Sequence, residues 1–249
     1  MLYYMRHVLL NLIECWIGLR LSNRWSNQHS KERKVAMNGI EFSALVSTIL
    51  VVVGTIWYVA LGIRGIKVQP VLASWIVICR TMTLSFFTYL TSPHASVVKG
   101  ACNGISVLST LAILILAFKT ARKNGGKLKF TPFQKFSLWS SLIITLLWFV
   151  LISIGGTGIL PNVLAQILLL IGYAVTCQKL WFAQRNTESL FCWWCIALAA
   201  LVALFTGLAS GDKLVILYAG RTIIGVSALL FLMHRAERRA LKHTLSTTA

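Results

Sequence analysis

The chain has 249 residues, of which 57% are hydrophobic and 12% are charged, and its formal net charge is +18. A soluble domain of this length cannot hide so much apolar surface, so the composition excludes an ordinary soluble protein and indicates a membrane protein. The positive charge is concentrated at one side of the predicted membrane helices. It therefore does not indicate a nucleic-acid-binding protein.

Residues 1–40 form a basic N-terminal segment that precedes the first clear membrane helix. Its first part, Met1–Leu21, is apolar but carries three charged side chains. This part is either an amphipathic helix that lies in the membrane interface, or an additional crossing, or upstream sequence that is not translated because the true start is Met37. The absence of a small-residue cleavage site argues against a signal peptide.

Seven segments follow that are long enough to cross a membrane. A helix of about 20 apolar residues spans the hydrocarbon core. Five segments carry no charge, and two carry a single arginine each. They are Phe42–Ile63, Val68–Val98, Gly100–Phe118, Phe136–Ile154, Ile159–Gln178, Ser189–Gly211 and Leu214–His234. The sequence thus predicts an all-α polytopic membrane protein with seven transmembrane helices.

The second half of the chain repeats the first. Residues 41–115 align without a gap on residues 159–233, at a constant offset of 118, and sixteen positions are identical. Aliphatic identities carry little weight in a chain of this composition. The informative identities are at other residue types and include Gly54/Gly172, Trp75/Trp193, Phe87/Phe205 and Thr88/Thr206. Each copy covers three predicted helices.

The repeat predicts a three-one-three arrangement of helices with parallel repeats. We expect a first three-helix unit at 41–119, a basic loop and linker helix at 120–158, a second unit at 159–235 and a tail at 236–249. Three helices per unit is an odd number, so the unpaired linker helix is needed to make the two units point the same way. Duplicated helical units are typical of transporters, because two similar halves can rock around a site between them.

The lysines and arginines predict the orientation. Fourteen of them lie on the side that holds the C-terminus, whereas only Lys99 and Lys213 lie on the opposite side beyond the N-terminal segment. By the positive-inside rule the C-terminus is cytoplasmic and residue 41 is outside, in a plasma membrane that we expect to be a bacterial inner membrane. We expect the basic loop Lys119–Lys135 to contact anionic lipid headgroups.

Two loop regions carry a resemblance to a known family. The segment Arg185–Leu190 and the segment Leu204–Gly207, followed by Gly211 and Asp212, resemble the SWEET and PQ-loop (MtN3-like) superfamily of small-solute transporters. The Pro-Gln pair of that family is represented here by Cys177 and Gln178. The spacing from Pro70 to Trp75, and from Glu188 to Trp193, is similar to that of an uncharacterised bacterial branch.

The resemblance implies a substrate site on the second and third helices of each unit. An asparagine on the third helix and an aromatic residue on the second line the site in that family, which points to Asn103 with Phe87 and Phe205. Trp75 and Trp193 are candidates on the evidence of the repeat. Aromatic and amide side chains suit a neutral ring such as a sugar. The alternative is that these aromatic rings pack between helices or lie in the interface belt.

Two arginines lie within predicted membrane helices. Arg221 is the repeat mate of Asn103, and Arg80 has no basic mate. A charge in this position costs on the order of 3 kcal/mol unless it faces water, a partner or a cavity. We expect one or both to bind an anionic substrate group; the alternatives are snorkelling and hydrogen bonding to free carbonyls.

The acidic residues favour a passive carrier. All six lie in tails, loops or helix ends, so no carboxylate is placed mid-membrane for proton coupling. We therefore expect facilitated transport of a small polar metabolite, either sugar-like or anionic, without enzyme activity, metal or cofactor. Two alternatives remain: a thiol-disulfide oxidoreductase that uses Cys192 and Cys195, and a non-transporting scaffold. Homo-oligomerisation is open.

Overall fold

The computed structural model describes residues 30–65, 68–90, 97–123, 130–154 and 159–248. These residues form seven α-helices and contain no β-strand: α1 (Ser30–Ile63), α2 (Leu72–Leu90), α3 (Val97–Lys123), α4 (Pro132–Ser153), α5 (Ile159–Phe182), α6 (Leu190–Ser210) and α7 (Lys213–Thr248). Each of the seven contains a segment that is long and apolar enough to cross a membrane. The predicted all-α membrane fold is confirmed.

The helix boundaries differ most from the predicted ones at three places. The first helix already begins at Ser30, the second ends at Leu90 instead of Val98, and the last continues to Thr248 instead of ending near His234. Hydropathy identifies only the part of a helix that lies in lipid. It therefore does not predict the polar extensions of α1 and α7. Met1–Leu21 lies outside the described residues.

Local signals fix several helix ends. Thr131 caps α4: its side chain accepts a hydrogen bond from the backbone N–H of Gln134 at 3.3 Å, while Oε1 of Gln134 accepts one from the N–H of Thr131 at 3.2 Å. Pro132 occupies the first turn, where its missing N–H costs nothing. Ser189 caps α6, and Gly211 ends it in the left-handed conformation with φ of 68°.

Six of the helices form a closed ring. In order around the ring they are α1, α6, α7, α5, α2 and α3, and α3 contacts α1 again; α4 packs outside the ring against α2 and α5. In each three-helix unit the third helix contacts both others. The two units meet in two seams, α1 with α6 and α5 with α2. Two equivalent units would make this reciprocal pairing, although the repeat itself remains a prediction from the sequence.

Glycine allows close approach in both seams. A Cβ atom on Gly54 would lie 2.9 Å from Cβ of Cys195 in the α1–α6 seam, and a Cβ atom on Gly172 would lie 2.8 Å from Cγ1 of Ile78 in the α5–α2 seam. The second glycine also faces Val77, at 3.5 Å. Gly54 and Gly172 are repeat mates, and so are Cys195 and Val77. The sequence identity at these glycines therefore coincides with equivalent close contacts.

The linker helix α4 is attached to α2 by two polar contacts and an apolar cluster. Arg80 donates a hydrogen bond from Nη1 to Oγ of Ser141 at 2.8 Å, and Trp148 donates one from Nε1 to Oγ1 of Thr88 at 2.9 Å. The Trp148 ring is buried with Leu168 of α5 in the same cluster. Through these contacts α4 touches one helix from each three-helix unit.

Candidate functional site

A cavity of about 750 Å³ lies inside the six-helix ring. Side chains from all six ring helices line it, and none from α4 does. It extends from Ser43 in α1, Ser210 at the end of α6 and Lys213 at the start of α7 to the rings of Trp75 and Trp193. We call the face with these helix ends the open face and the opposite one the closed face. The volume is within the usual range for small-molecule sites.

Hydroxyl groups dominate the polar part of the cavity wall. The hydroxyls of Thr48 and Thr55 donate to carbonyl oxygens one helical turn earlier, each at 2.8 Å, and that of Thr222 does so at 2.9 Å. Their protons are thus used by the helix backbone, while the oxygen lone pairs remain able to accept. These hydroxyls offer hydrogen-bond acceptors to a polar solute, and the charged residues of the wall, Asp212 and Lys213, lie at the end of the cavity near Ser210.

Aromatic rings close the inner end of the cavity. The centroids of Trp75 and Trp193 lie 6.3 Å apart with an angle of 32° between the ring planes. Tyr58 packs against Trp75 at 5.8 Å, and Tyr173 packs against Trp193 at 6.0 Å. The two tryptophans that the repeat singled out therefore meet at the end of the cavity, one from each unit. The two rings are nearly buried, at 4% and 2% exposure, and give this end of the cavity an apolar wall.

Beyond these rings, a polar network at the closed face joins the two units. The Tyr58 hydroxyl donates to Oε2 of Glu188 at 2.7 Å, and Nζ of Lys179 lies 3.3 Å from Oε1 of the same carboxylate. Lys179 also donates to the carbonyl of Gln69, whose N–H donates to the carbonyl of Thr187 at 2.9 Å. Tyr58 and Gln69 belong to the first unit and the other three to the second.

Glu188 is the functional candidate that sequence reasoning missed. Its position beside the α6 N-cap places it at a helix end, where an acid is ordinarily solvated, yet its side chain is only 1% exposed. Burial raises the pKa of this carboxyl group, although the ammonium group of Lys179 and the hydrogen bond from Tyr58 act in the opposite direction. No local pattern reveals this burial, because the first unit supplies the covering residues.

Arg221 is buried beside the cavity, with 6% of its surface exposed. Its Nη2 donates to Oγ1 of Thr222 at 3.3 Å, and its guanidinium carbon lies 4.6 Å from the centroid of the Tyr218 ring. Its Nε and Nη1 atoms have no hydrogen-bond partner. Arg221 does not line the cavity, but Tyr218 and Thr222 do.

The other predicted site residues lie elsewhere. Arg80 points to the linker helix through Ser141. Phe87 and Phe205 are 50% and 37% exposed and are absent from the cavity wall. Such exposure on a membrane helix corresponds to a lipid-facing position. The side chain of Asn103 lies outside the part of the structure that is described. Of the predicted site residues whose side chains the structure describes, only Trp75 and Trp193 line the cavity, while Arg221 contacts Tyr218 and Thr222 of its wall.

The Cys-x-x-Cys pair is part of a helix contact. Cys192 and Cys195 are free thiols with 1% and 5% exposure. They pack at the seam where Gly54 approaches α6. Buried thiols without an access route favour a packing role over redox exchange. Among the described residues no group of three or more His, Cys, Asp or Glu side chains is placed to hold a metal ion.

Comparisons with known proteins leave the family open. No protein-family model matches the chain, and neither the curated proteins nor the solved structures contain a significant match. The similarity to SWEET and PQ-loop proteins therefore remains a prediction from the loop motifs.

Proposed function

We propose that this protein moves a small polar metabolite across the membrane by facilitated transport, as the resemblance to SWEET-type carriers implies. The observation that carries the proposal is the central cavity, which extends to one face of the ring and ends at the other in contacts between the two units. A carrier requires such a compartment, because its substrate must reach the site from one side at a time.

The two seams provide a route for the change of access. Opening the closed face requires the contacts of Glu188 with Tyr58 and Lys179 to separate. Closing the open face requires the outer ends of α1 and α6 to come nearer the other ring helices; at this end the hydroxyl of Thr206 already donates to that of Ser43 at 2.7 Å. A tilt of one unit against the other produces both changes, as in other carriers with duplicated units.

The wall chemistry favours a neutral polar solute or a solute with a polar, anionic end. Hydroxyl oxygens accept hydrogen bonds from solute hydroxyls, and the Trp75 and Trp193 rings offer apolar faces. Facilitated transport is favoured because no acidic residue lies in the middle of any of the seven spans, where proton-coupled carriers keep a titratable carboxylate. The basic residues near the closed face suit contact with anionic lipids.

Uptake into proteoliposomes tests this proposal. The purified full chain is reconstituted and screened with labelled sugars, sugar acids, vitamins and amino acids. Ala203→Trp places an indole in the cavity wall, whereas Leu208→Trp places it on the lipid face of the same helix, where Leu208 is 53% exposed. We expect uptake of at least one class, abolished by the first substitution and retained by the second. Wild-type uptake no greater than in protein-free vesicles, or full uptake by Ala203→Trp, contradicts the proposal.

A further inference from the structure

We propose that Arg221, Thr222 and Tyr218 form a covered anion-binding site for a carboxylate or phosphate group of the transported solute, with the Tyr218 ring as a movable cover. The inference rests on the proposed transport function and specifies its substrate class. It assigns to α7 a recognition role that the cavity wall alone does not show.

The first argument is the unbalanced charge of Arg221. The guanidinium is buried, its one hydrogen bond goes to the neutral hydroxyl of Thr222, and two of its nitrogen atoms are unpaired. Among the described residues no carboxylate forms an ion pair with it. A buried cation without a counter-ion is costly, so an anion that reaches it gains both charge neutralisation and hydrogen bonds. The planar guanidinium matches the geometry of a carboxylate or phosphate.

The second argument is the position of Tyr218. Its ring stacks on the guanidinium of Arg221 at 4.6 Å and also lines the cavity. Its hydroxyl reaches across to Sδ of Met82 on α2 at 3.7 Å. The helices α2 and α7 are separated by α5 in the ring, so this contact joins two helices that are not direct neighbours.

The contacts of Tyr218 are the kind that a ligand can replace. A thioether sulfur is a weak hydrogen-bond acceptor, and the stacking of a cation on a ring is weaker than a charge-assisted hydrogen bond. An anionic solute in the cavity can therefore turn the Tyr218 side chain aside and bind Arg221 directly. A neutral solute lacks this gain and leaves the cover in place.

The test compares neutral and anionic solutes of the same carbon skeleton. Uptake of a hexose, the matching hexuronate and the matching hexose phosphate is measured for the wild type and for Arg221→Asn. The matched control is Arg80→Asn, because Arg80 is the other arginine within a span and faces α4. We expect Arg221→Asn to reduce uptake of at least one of the two anions tenfold or more relative to the hexose. The control should leave the ratio of anion to hexose unchanged.

Two further variants separate recognition from a structural role. Arg221→Lys keeps the charge without the planar fork, so anion uptake should fall between those of the wild type and Arg221→Asn. Tyr218→Ala removes the cover and should lower the apparent KM for the anion several-fold without changing that for the hexose. If all three solutes are affected equally by each substitution, the site assignment is wrong. It is also wrong if selectivity follows the anionic-lipid content of the vesicles instead of the solute.

A binding measurement keeps this inference distinct from the proposed function. In detergent, the hexuronate or the hexose phosphate should raise the melting temperature of the wild type and of Arg80→Asn, but not that of Arg221→Asn. Stabilisation that depends on Arg221, without uptake of any solute, would leave the anion site standing while the transport proposal fails. If the hexose is taken up, but neither anion is taken up and neither raises the melting temperature, the transport proposal stands and the anion site is wrong.

Discussion

The hydroxyl group of Tyr58 lies 2.7 Å from Oε2 of Glu188, and this hydrogen bond joins the first helix of one unit to the residue before the α6 N-cap in the other. Lys179 approaches the second oxygen of the same carboxylate from α5. The network therefore holds together both the α1–α6 seam and the ends of α5 and α2 beneath the tryptophan rings.

Replacing Tyr58 by phenylalanine tests the strength of this network. The change keeps the ring against Trp75 but removes the hydroxyl donor to a buried acid, which should cost about 1–3 kcal/mol of stability. The melting temperature in detergent measures the loss. In combination with Glu188→Leu, which removes the acceptor, the two effects should be clearly non-additive, because the residues share one hydrogen bond. Strict additivity would show that the bond contributes nothing.

The raised pKa of Glu188 predicts a specific pH dependence. The folded protein binds a proton at this carboxyl group more tightly than the unfolded chain, where the ordinary pKa is near 4.5. The contribution of Glu188 to stability is therefore greatest below that value and declines as the pH rises through the raised pKa. The melting temperature of wild type minus that of Glu188→Gln should be larger at pH 5 than at pH 8. A difference that is equal at the two pH values, or larger at pH 8, would contradict the raised pKa of Glu188.

The seam glycines predict a matched pair of destabilising substitutions. Gly54→Ala and Gly172→Ala each place a methyl group within 3 Å of a facing side chain, so both should lower the melting temperature. Gly220→Ala on α7 meets nothing within 4 Å and should be neutral or stabilising by up to about 1 kcal/mol, as expected for alanine in a helix. Equal behaviour of all three would contradict the close approach at the seams.

The buried thiols predict that transport is independent of redox chemistry. We expect the double substitution of Cys192 and Cys195 by alanine to retain solute uptake, with a modest loss of stability from the smaller side chains. Treatment of the wild type with a thiol reductant should likewise leave uptake unchanged. Loss of uptake in a double variant that remains folded and monodisperse would favour the oxidoreductase alternative instead.

Reporter fusions test the orientation. A reporter after Ala249 should be cytoplasmic, and one inserted at 155–158 should be external, because the basic residues accumulate on the side of the C-terminus. A reporter at residue 30 decides whether the apolar N-terminal segment crosses the membrane. The reversed pattern for the first two positions would overturn the predicted orientation.

The sequence predicted the number and type of helices, because apolar length is a direct consequence of the bilayer thickness. The repeat also directed attention to Gly54 and Trp75, whose mates occupy equivalent positions at the seams and at the end of the cavity. The family resemblance pointed to Phe87, which does not line the cavity. Hydropathy could not have corrected this, because a membrane helix is largely apolar all round and its lipid-facing side does not differ clearly from its inner side. The burial of Glu188 depends on residues far away in the chain, which no local pattern reports.

The attachment of α4 makes the two seams unequal. This helix contacts both α2 and α5, and the bond from Arg80 to Ser141 and the bond from Trp148 to Thr88 hold it to one side of their seam. Among the described residues no helix packs across the outside of the α1–α6 seam, which is held by contacts between the two helices themselves. The α2–α5 side of the ring is therefore braced from outside by α4, whereas the α1–α6 side is not. We expect the change of access to be a rotation of the two units about the α2–α4–α5 side of the molecule, with the greatest displacement at α1 and α6.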